Sequence, residues 1–295
     1  MADRLRAYPQ NAPGEWFVDD RCIDCGICRW LAPDSFGQGP GHAIVSAQPS
    51  DLEAAGRAAL SCPTGAIGGP ATALQAARLP HPVLPGVFFC GYASRETYAA
   101  QSWLLQRPDG NVLVDVPRPV PALLDRIEAL GGVRTLVLTH RDDVHGHQKL
   151  AARFGAERVM HEADLDQGTA TVEHRVVGEA PVTLAPDLVL IPVPGHTRGS
   201  MCLLYRGEVL FSGDHLWGAA PLRAQAGASG GSPSLGAGRS VCWYSWAAQT
   251  QSMEALLDWP FAHVLPGHGR PWHGGFAARE PALLDLIAGM KRARA

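Results

Sequence analysis

Two groups of side chains in this sequence have the types and spacing to do chemistry. The first is CIDCGIC, residues 22–28, followed much later by Cys62 and Pro63. Three thiolates spaced Cys-x-x-Cys-x-x-Cys wrap one corner of an iron–sulfide cube, and a fourth arriving from afar before a proline completes it. Gly26 lets the backbone turn close to the inorganic sulfides. A structural zinc site is the alternative, but zinc normally takes two separated Cys-x-x-Cys pairs or a cysteine–histidine mixture. The second group is THRDDVHGH, residues 139–147, with three histidines and two aspartates in nine positions directly after an apolar run. More candidates follow in VPGH ending at His196, LFSGD ending at Asp214 and VLPGH ending at His268. Each follows a strand-like run and stands beside a glycine, and strand ends converging on one sheet edge can make a single metal pocket. Asp142, Asp143, His145, His147 and His215 lie in the same runs.

Elements must position these residues. NVLVDV, residues 111–116, reads as a strand. Residues 119–130 carry Leu123, Leu124, Ile127 and Leu130 at helical spacing and end in two glycines. Residues 134–139 are the next strand, and residues 144–154 a helix stopped by Gly155. Strand-like runs follow at 157–161, 171–177, 187–193, 201–205 and 208–211, and helices are expected at 246–258 and 280–292. Alternating strands and helices, then strands, then helices suit layered α/β packing. Residues 68–86, rich in Ala, Pro and Gly, read as a connector. The domains expected are therefore 1–70, a linker at 71–86, and 87–295. The glycine-rich run 226–238 lacks the Lys-Ser/Thr of a phosphate loop and reads as a flexible loop that could edge a pocket. No internal repeat is evident.

Composition sets bounds. At 295 residues with 46% hydrophobic and 18% charged residues, the chain can bury a sizeable core. A net charge of −3 with mixed signs gives no attraction to nucleic acid or to an anionic membrane. No apolar run approaches the roughly 20 residues that span a bilayer, and MADRLRAYPQ lacks a secretory apolar segment. Seven cysteines, clustered and odd in number, argue for metal binding in a reducing compartment rather than a disulfide framework. The expectation is a cytoplasmic protein.

The segment from Phe17 to Ile67, FVDDRCIDCGICRWLAPDSF and then SCPTGAI, resembles a single-cluster bacterial ferredoxin. The resemblance implies one 4Fe–4S cluster on Cys22, Cys25, Cys28 and Cys62, and one-electron transfer. From about residue 85 to 275 the order of motifs resembles the metallo-β-lactamase superfamily, whose signature reads His-x-His-x-Asp-His, then His, Asp and His. This implies a four-layer αβ/βα sandwich preceded by a small α+β ferredoxin-like domain. It also implies His140 and His196 in a first metal site, Asp214 bridging two metals, and His268 in the second. GNVLVDVP resembles the preceding strand, with Asp115 bracing the metal loop. The first motif departs from the signature. By spacing alone His145 matches its last histidine. Members that carry a ferredoxin module read Thr-His-Arg-Asp-Asp-Val-x-x-His, which this chain matches with His147. On that alignment Asp142 replaces a first-site histidine, Asp143 is the second-site acid and His147 the second-site imidazole.

A carboxylate in place of imidazole tilts preference from zinc toward iron or manganese. The resemblance implies a metal-dependent hydrolase with one or two metal ions and a small-molecule substrate, with Asp143 positioning the attacking water. A rival reading is a di-iron oxidoreductase reducing oxygen or nitric oxide, fed by the cluster or by a redox partner protein; a third is a metal-binding protein without turnover. Trp243, Tyr244 and Trp246 offer either a pocket wall for an aromatic or apolar substrate or plain core packing. Arg198 is a surface residue or an anion contact, and Cys90 and Cys202 are buried strand positions. His42, His81, His161, His174, His263 and His273 fall in no motif.

Overall fold

A computed structural model of the chain describes residues 2–219 and 234–293. Its backbone forms two compact units. The first takes the chain up to Arg134 together with His145–Ala156, and the second takes Thr135–Val144 and the chain from Glu157 onward.

In the first unit the cysteine-bearing segment is small and alanine-rich. Phe17–Val18 pairs antiparallel with Ile67–Gly68, and Phe36–Gln38 with Ala43–Val45. The helix Leu52–Ser61 is capped by Asp51, whose carboxylate accepts from the Ala54 amide. Its Ala54, Ala55 and Ala58 meet Trp16, Val18, Phe36 and Val45 in one core. The stretch 71–86, expected as a connector, is regular instead: Ala71–Ala76 is helical and His81–Leu84 pairs antiparallel with Val87–Phe89. Its proline content is compatible with these elements, since Pro70 caps the helix and Pro82 lies on an edge strand, where no amide is required. The pairing continues through Trp103–Leu105 to Val112–Val114, all antiparallel and nearly all buried. Helix Pro121–Ala129 buries Leu123 and Ile127, as its spacing requires.

The helix expected from residue 144 begins at His147, because Gly146 stands in the left-handed region at φ 88°. His145 therefore precedes the helix and is exposed, whereas His147 is its first residue and is buried. The expectation that the two share a helix is corrected accordingly.

In the second unit Thr135–Val137, Glu157–His161 and His174–Val176 run parallel. A five-stranded sheet runs in the order Val182–Ala185, Leu188–Pro192, Met201–Tyr205, Val209–Gly213, His263–Pro266; only the last pairing is parallel. Val182–Ala185 was not anticipated. Helix Gly275–Arg292 starts earlier than expected and packs Leu283, Ile287 and Met290 on Leu210, Val264 and Trp272. Helix Trp246–Ala255 falls where the spacing placed it. Cys202 is fully buried in its strand, and Cys90, just past Val87–Phe89, is equally buried, with its thiol pushed up to about 12 by burial. Of the glycine-rich run 226–238, the part up to residue 233 lies outside the described residues; Leu235–Gly236 pairs with Trp217–Gly218. No helix among the described residues is long and apolar enough to cross a membrane.

One ion pair in this unit gives a pH prediction. The Arg158 guanidinium holds Glu173, at 2.6 Å from Nη2 to Oε1, and depresses its pKa to about 2. A carboxyl lowered on folding stabilises fully above its ordinary value near 4.5, and loses that contribution as pH falls toward 2. Glu173 is 40% exposed, so the effect should stay below about 1 kcal/mol. Urea melts at pH 6 and pH 3 are expected to differ less for Glu173→Gln than for the parent; an unchanged difference would remove Glu173 from the acid response.

Candidate metal centre

Strand Thr135–Val137 runs out into His140, and its exit is fixed by hydrogen bonds from Leu138 N to Val159 O and from Met201 N to Thr139 O, both 2.9 Å. Strand Leu188–Pro192 leads to His196, Val209–Gly213 to Asp214 and His263–Pro266 to His268. All four belong to the second unit, and the structure brings them together with Asp142 and Asp143 of the same unit. His140 Nε2 lies 3.5 Å from Asp143 Oδ2, and His196 Nε2 lies 3.1 Å from Asp142 Oδ2. His268 Nε2 lies 3.6 Å from Asp143 Oδ2. Asp214 Oδ2 sits among the three imidazoles, 3.8 Å from Nε2 of His140 and 3.7 Å from those of His196 and His268. Two trios can each close on an ion, His140 with Asp142 and His196, and His140 with Asp143 and Asp214; within each trio all ligand atoms lie within 4.8 Å of one another.

The donor set fits metal binding on its own chemistry. His140 Nε2, both oxygens of Asp143 and Oδ1 of Asp214 are buried without a hydrogen-bond partner, which is costly for polar atoms left to themselves. His196 Nδ1–H donates to the Val241 carbonyl at 2.5 Å, since a carbonyl can only accept. Its Nε2 lone pair then faces an Asp142 oxygen, and two acceptors at 3.1 Å require a cation between them, either a proton or a metal. Burial resists protonation of His196, but the hydrogen bond to Asp142 and the charges of Asp214 and Asp142 outweigh it, and its pKa rises. Burial drives the His140 pKa down, toward the neutral form that ligates. Hydrogen bonds from His140 Nδ1–H to the Thr139 hydroxyl and from His196 Nδ1–H to the Val241 carbonyl fix the ring orientations, as partners outside a metal's ligand set typically do.

Close packing sets the acids. A Cβ on Gly267 would stand 2.7 Å from Asp214 Oδ1 and 3.4 Å from Asp143 Oδ2, so only glycine lets this loop approach them. Asp164, which no motif singled out, ties two of the loops. It is buried, and accepts from the Arg141 amide at 3.1 Å, the Gly199 amide at 2.7 Å and the Thr197 hydroxyl. The loops of His140 and His196 are thus pinned to one carboxylate. Its sequence signal, an acid just past the strand Glu157–His161, is too common to stand out.

The remaining candidates fall as follows. His147 and Asp115 belong to the first unit; both are buried, and Asp115 holds a strained left-handed backbone at φ 56°. His215 is fully buried and both its ring nitrogens lack partners; burial drops its pKa to about 3. Trp243 and Tyr244 are 59% and 52% exposed, so core packing does not account for them, whereas Trp246 packs against the core. Their amides donate to the His196 carbonyl, and the Trp243 side chain helps hold the Asp142 carboxyl below its ordinary pKa. Arg198 is exposed.

The cysteines form a separate site in the first unit. Cys22, Cys25, Cys28 and Cys62 line one pocket with Val18, Ile27 and Ala66. None of the seven cysteines is in a disulfide. Ala43 N donates to Cys22 Sγ at 3.4 Å and Ala66 N to Cys62 Sγ at 3.3 Å. Burial pushes the Cys25 thiol up to about 11 and Cys28 higher still, so these protons must leave as iron binds. The four sulfurs converging in an apolar pocket fit a 4Fe–4S cluster.

Comparisons with known proteins agree. Residues 18–69 match the family model of the 4Fe-4S single cluster domain of Ferredoxin I. A ferredoxin of Thermococcus litoralis is 49% identical over 51 residues, covering 16% of this chain and 83% of that protein. The hydroxyacylglutathione hydrolase of Acidiphilium cryptum (strain JF-5) is 32% identical over 120 residues, 39% of this chain and 49% of that protein. The chain spans about half the length of the curated hydrolases it matches. The crystal structure of the DIM-1 metallo-beta-lactamase superposes with a TM-score of 0.54 at 16% identity, covering 72% of this chain and 96% of that one. Fold and sites thus define a metalloprotein of the metallo-β-lactamase fold with a 4Fe–4S domain at its amino-terminal end. That amino-terminal segment belongs to the single-cluster ferredoxin family.

Proposed function

We propose that the chain is a metal-dependent hydrolase acting on a small-molecule ester or thioester, with its 4Fe–4S domain transferring electrons or sensing redox state. One observation carries this reading: Asp214 Oδ2 lies almost equally far from the Nε2 atoms of His140, His196 and His268, as a carboxylate shared between two ions would. On this reading His140, Asp142, His196 and Asp214 would hold one ion, and Asp143, His268 and Asp214 the other. Bound metal supplies a Lewis acid and a water that deprotonates near neutral pH. Asp143, buried and with both oxygens unpartnered, orients that water and carries its proton toward the leaving group. Trp243 offers an exposed aromatic face beside His196 for an apolar part of the substrate, their ring centroids 6.2 Å apart. The partial match to hydroxyacylglutathione hydrolases, whose named substrates are thioesters, supports the carbonyl class.

The division into residues 1–70 and 87–295 joined by 71–86, and a cytoplasmic setting in which cluster thiolates persist, belong to the same proposal. A second reading, a di-iron oxidoreductase, is favoured by one feature: the harder oxygen donor of Asp142 where the superfamily signature has imidazole.

Anaerobically purified protein tests both. Hydrolysis of a thioester and ester panel that a chelator abolishes and zinc restores is the expected result. Iron beyond the cluster's own, with no hydrolysis and with reduction of oxygen or nitric oxide, would replace the hydrolase by the oxidoreductase.

A further inference from the structure

Away from the metal centre, two histidines outside every motif face each other across a strand pair. His263 opens the strand His263–Pro266, and His273 follows Trp272. Val264 and Trp272 exchange both backbone hydrogen bonds, at 2.8 and 2.9 Å, which sets His263 and His273 opposite one another in the neighbouring position. Their Nδ1 atoms are 3.0 Å apart, with the rings inclined at 60°.

The backbone beneath them is firmly held. Trp272 is buried edge-on against Phe261, and the Ala262 and His263 amides both donate to the Glu208 carbonyl. Burial lowers the pKa of both histidines, and the charge of His263 lowers that of His273 further, so both are disposed to be neutral. Neutral imidazoles with converging nitrogens are what a transition metal takes up. The spacing also selects a geometry. Two nitrogens each about 2.1 Å from an ion stand about 3.0 Å apart at a right angle, and about 3.4 Å apart at a tetrahedral angle.

We propose that His263 and His273 form a second metal site, binding a divalent ion of tetragonal or octahedral preference, such as Ni2+, through two adjacent imidazole nitrogens. Water fills the other positions, and the nearby Glu208 charge adds attraction. The pair stands at the base of the hairpin whose loop carries His268, so an ion there staples the two strands that present that residue. The site shares no ligand with the metal centre and stands whether or not that centre is hydrolytic.

The test is equilibrium dialysis of the full-length, cluster-loaded protein against Ni2+, with all metals counted. One nickel per chain is expected beyond any that displaces iron or zinc. It should be lost in His263→Gln and in His273→Gln, and kept in His174→Gln, another exposed strand histidine. His268→Asn should also keep it, which separates this site from the metal centre. In the unaltered protein, the paramagnetic ion should shift the ring-proton resonances of two histidines. Nickel uptake equal in parent and His263→Gln/His273→Gln, uptake that disappears with His268 instead, or no uptake beyond displacement would overturn the site and leave a hydrogen-bonded pair.

Discussion

Asp214→Ala is expected to abolish metal-dependent stabilisation and turnover together, while leaving the chelated protein as stable as its parent or more so. The two effects have one electrostatic origin. Asp214 shares a pocket with Asp143 and the half-buried Asp142, and Oδ1 of Asp214 and both oxygens of Asp143 lack hydrogen-bond partners. Without cations, like charges in such surroundings oppose folding. Removing one relieves that repulsion. With cations present, the same carboxylate lies within 3.8 Å of the Nε2 atoms of all three imidazoles, and its loss should exceed the roughly 10–100-fold drop in metal affinity typical of losing a partner outside the ligand set. For the parent, metal at a thousand times its dissociation constant adds about 4 kcal/mol. Melting curves with and without zinc or iron are the measurement. A variant that melts at the parent's metal-loaded temperature, or that still hydrolyses its substrate, would remove Asp214 from the centre.

The second large effect is at Asp164, which contacts no proposed ligand side chain. Alanine there strands the Arg141 and Gly199 amides and leaves the Thr197 hydroxyl with Ser200 Oγ alone. Each buried donor left unmet costs about 1–3 kcal/mol, so the loss should reach several kcal/mol and threaten the fold. Asp164→Asn is the informative variant, since it keeps one carbonyl oxygen. It should fold, unfold at lower urea, and bind metal about 10–100-fold more weakly, because the loops bearing His140 and His196 lose their common anchor. Parent-like affinity in a destabilised Asp164→Asn would show that the carboxylate serves the fold alone.

The difference between these two residues explains what was legible. Asp214 follows Val209–Gly213, a run whose apolar pattern is itself visible, and a signature names it. Asp164 follows a strand just as clearly, yet its role depends on Arg141, Thr197 and Gly199, up to 35 positions away, and nothing local encodes that. The cysteine set was readable because three of its four members are local. The regular elements within 71–86 were not legible because alanine, proline and glycine suit a linker and also suit a short helix capped by Pro70 and an edge strand. Helix His147–Phe154 was placed three residues too early, since the left-handed turn at Gly146 leaves no periodic trace. The aromatics of 240–249 could be assigned to wall or core only by exposure, which depends on what packs above them.

Residue types and short-range spacing by themselves determined the cluster cysteines, the strand ends that deliver histidines and acids, and the fold those motifs resemble. Such features depend on chain chemistry within a few residues and on hydrophobic periodicity. Tertiary structure alone decided that Asp214 stands among three imidazoles, that Gly267 must lack a side chain to admit it, that Asp164 joins two loops, and that His263 meets His273. Each of these is a distance of a few ångströms between groups separated along the chain. Such distances follow from sheet register and side-chain packing, which the whole core sets together.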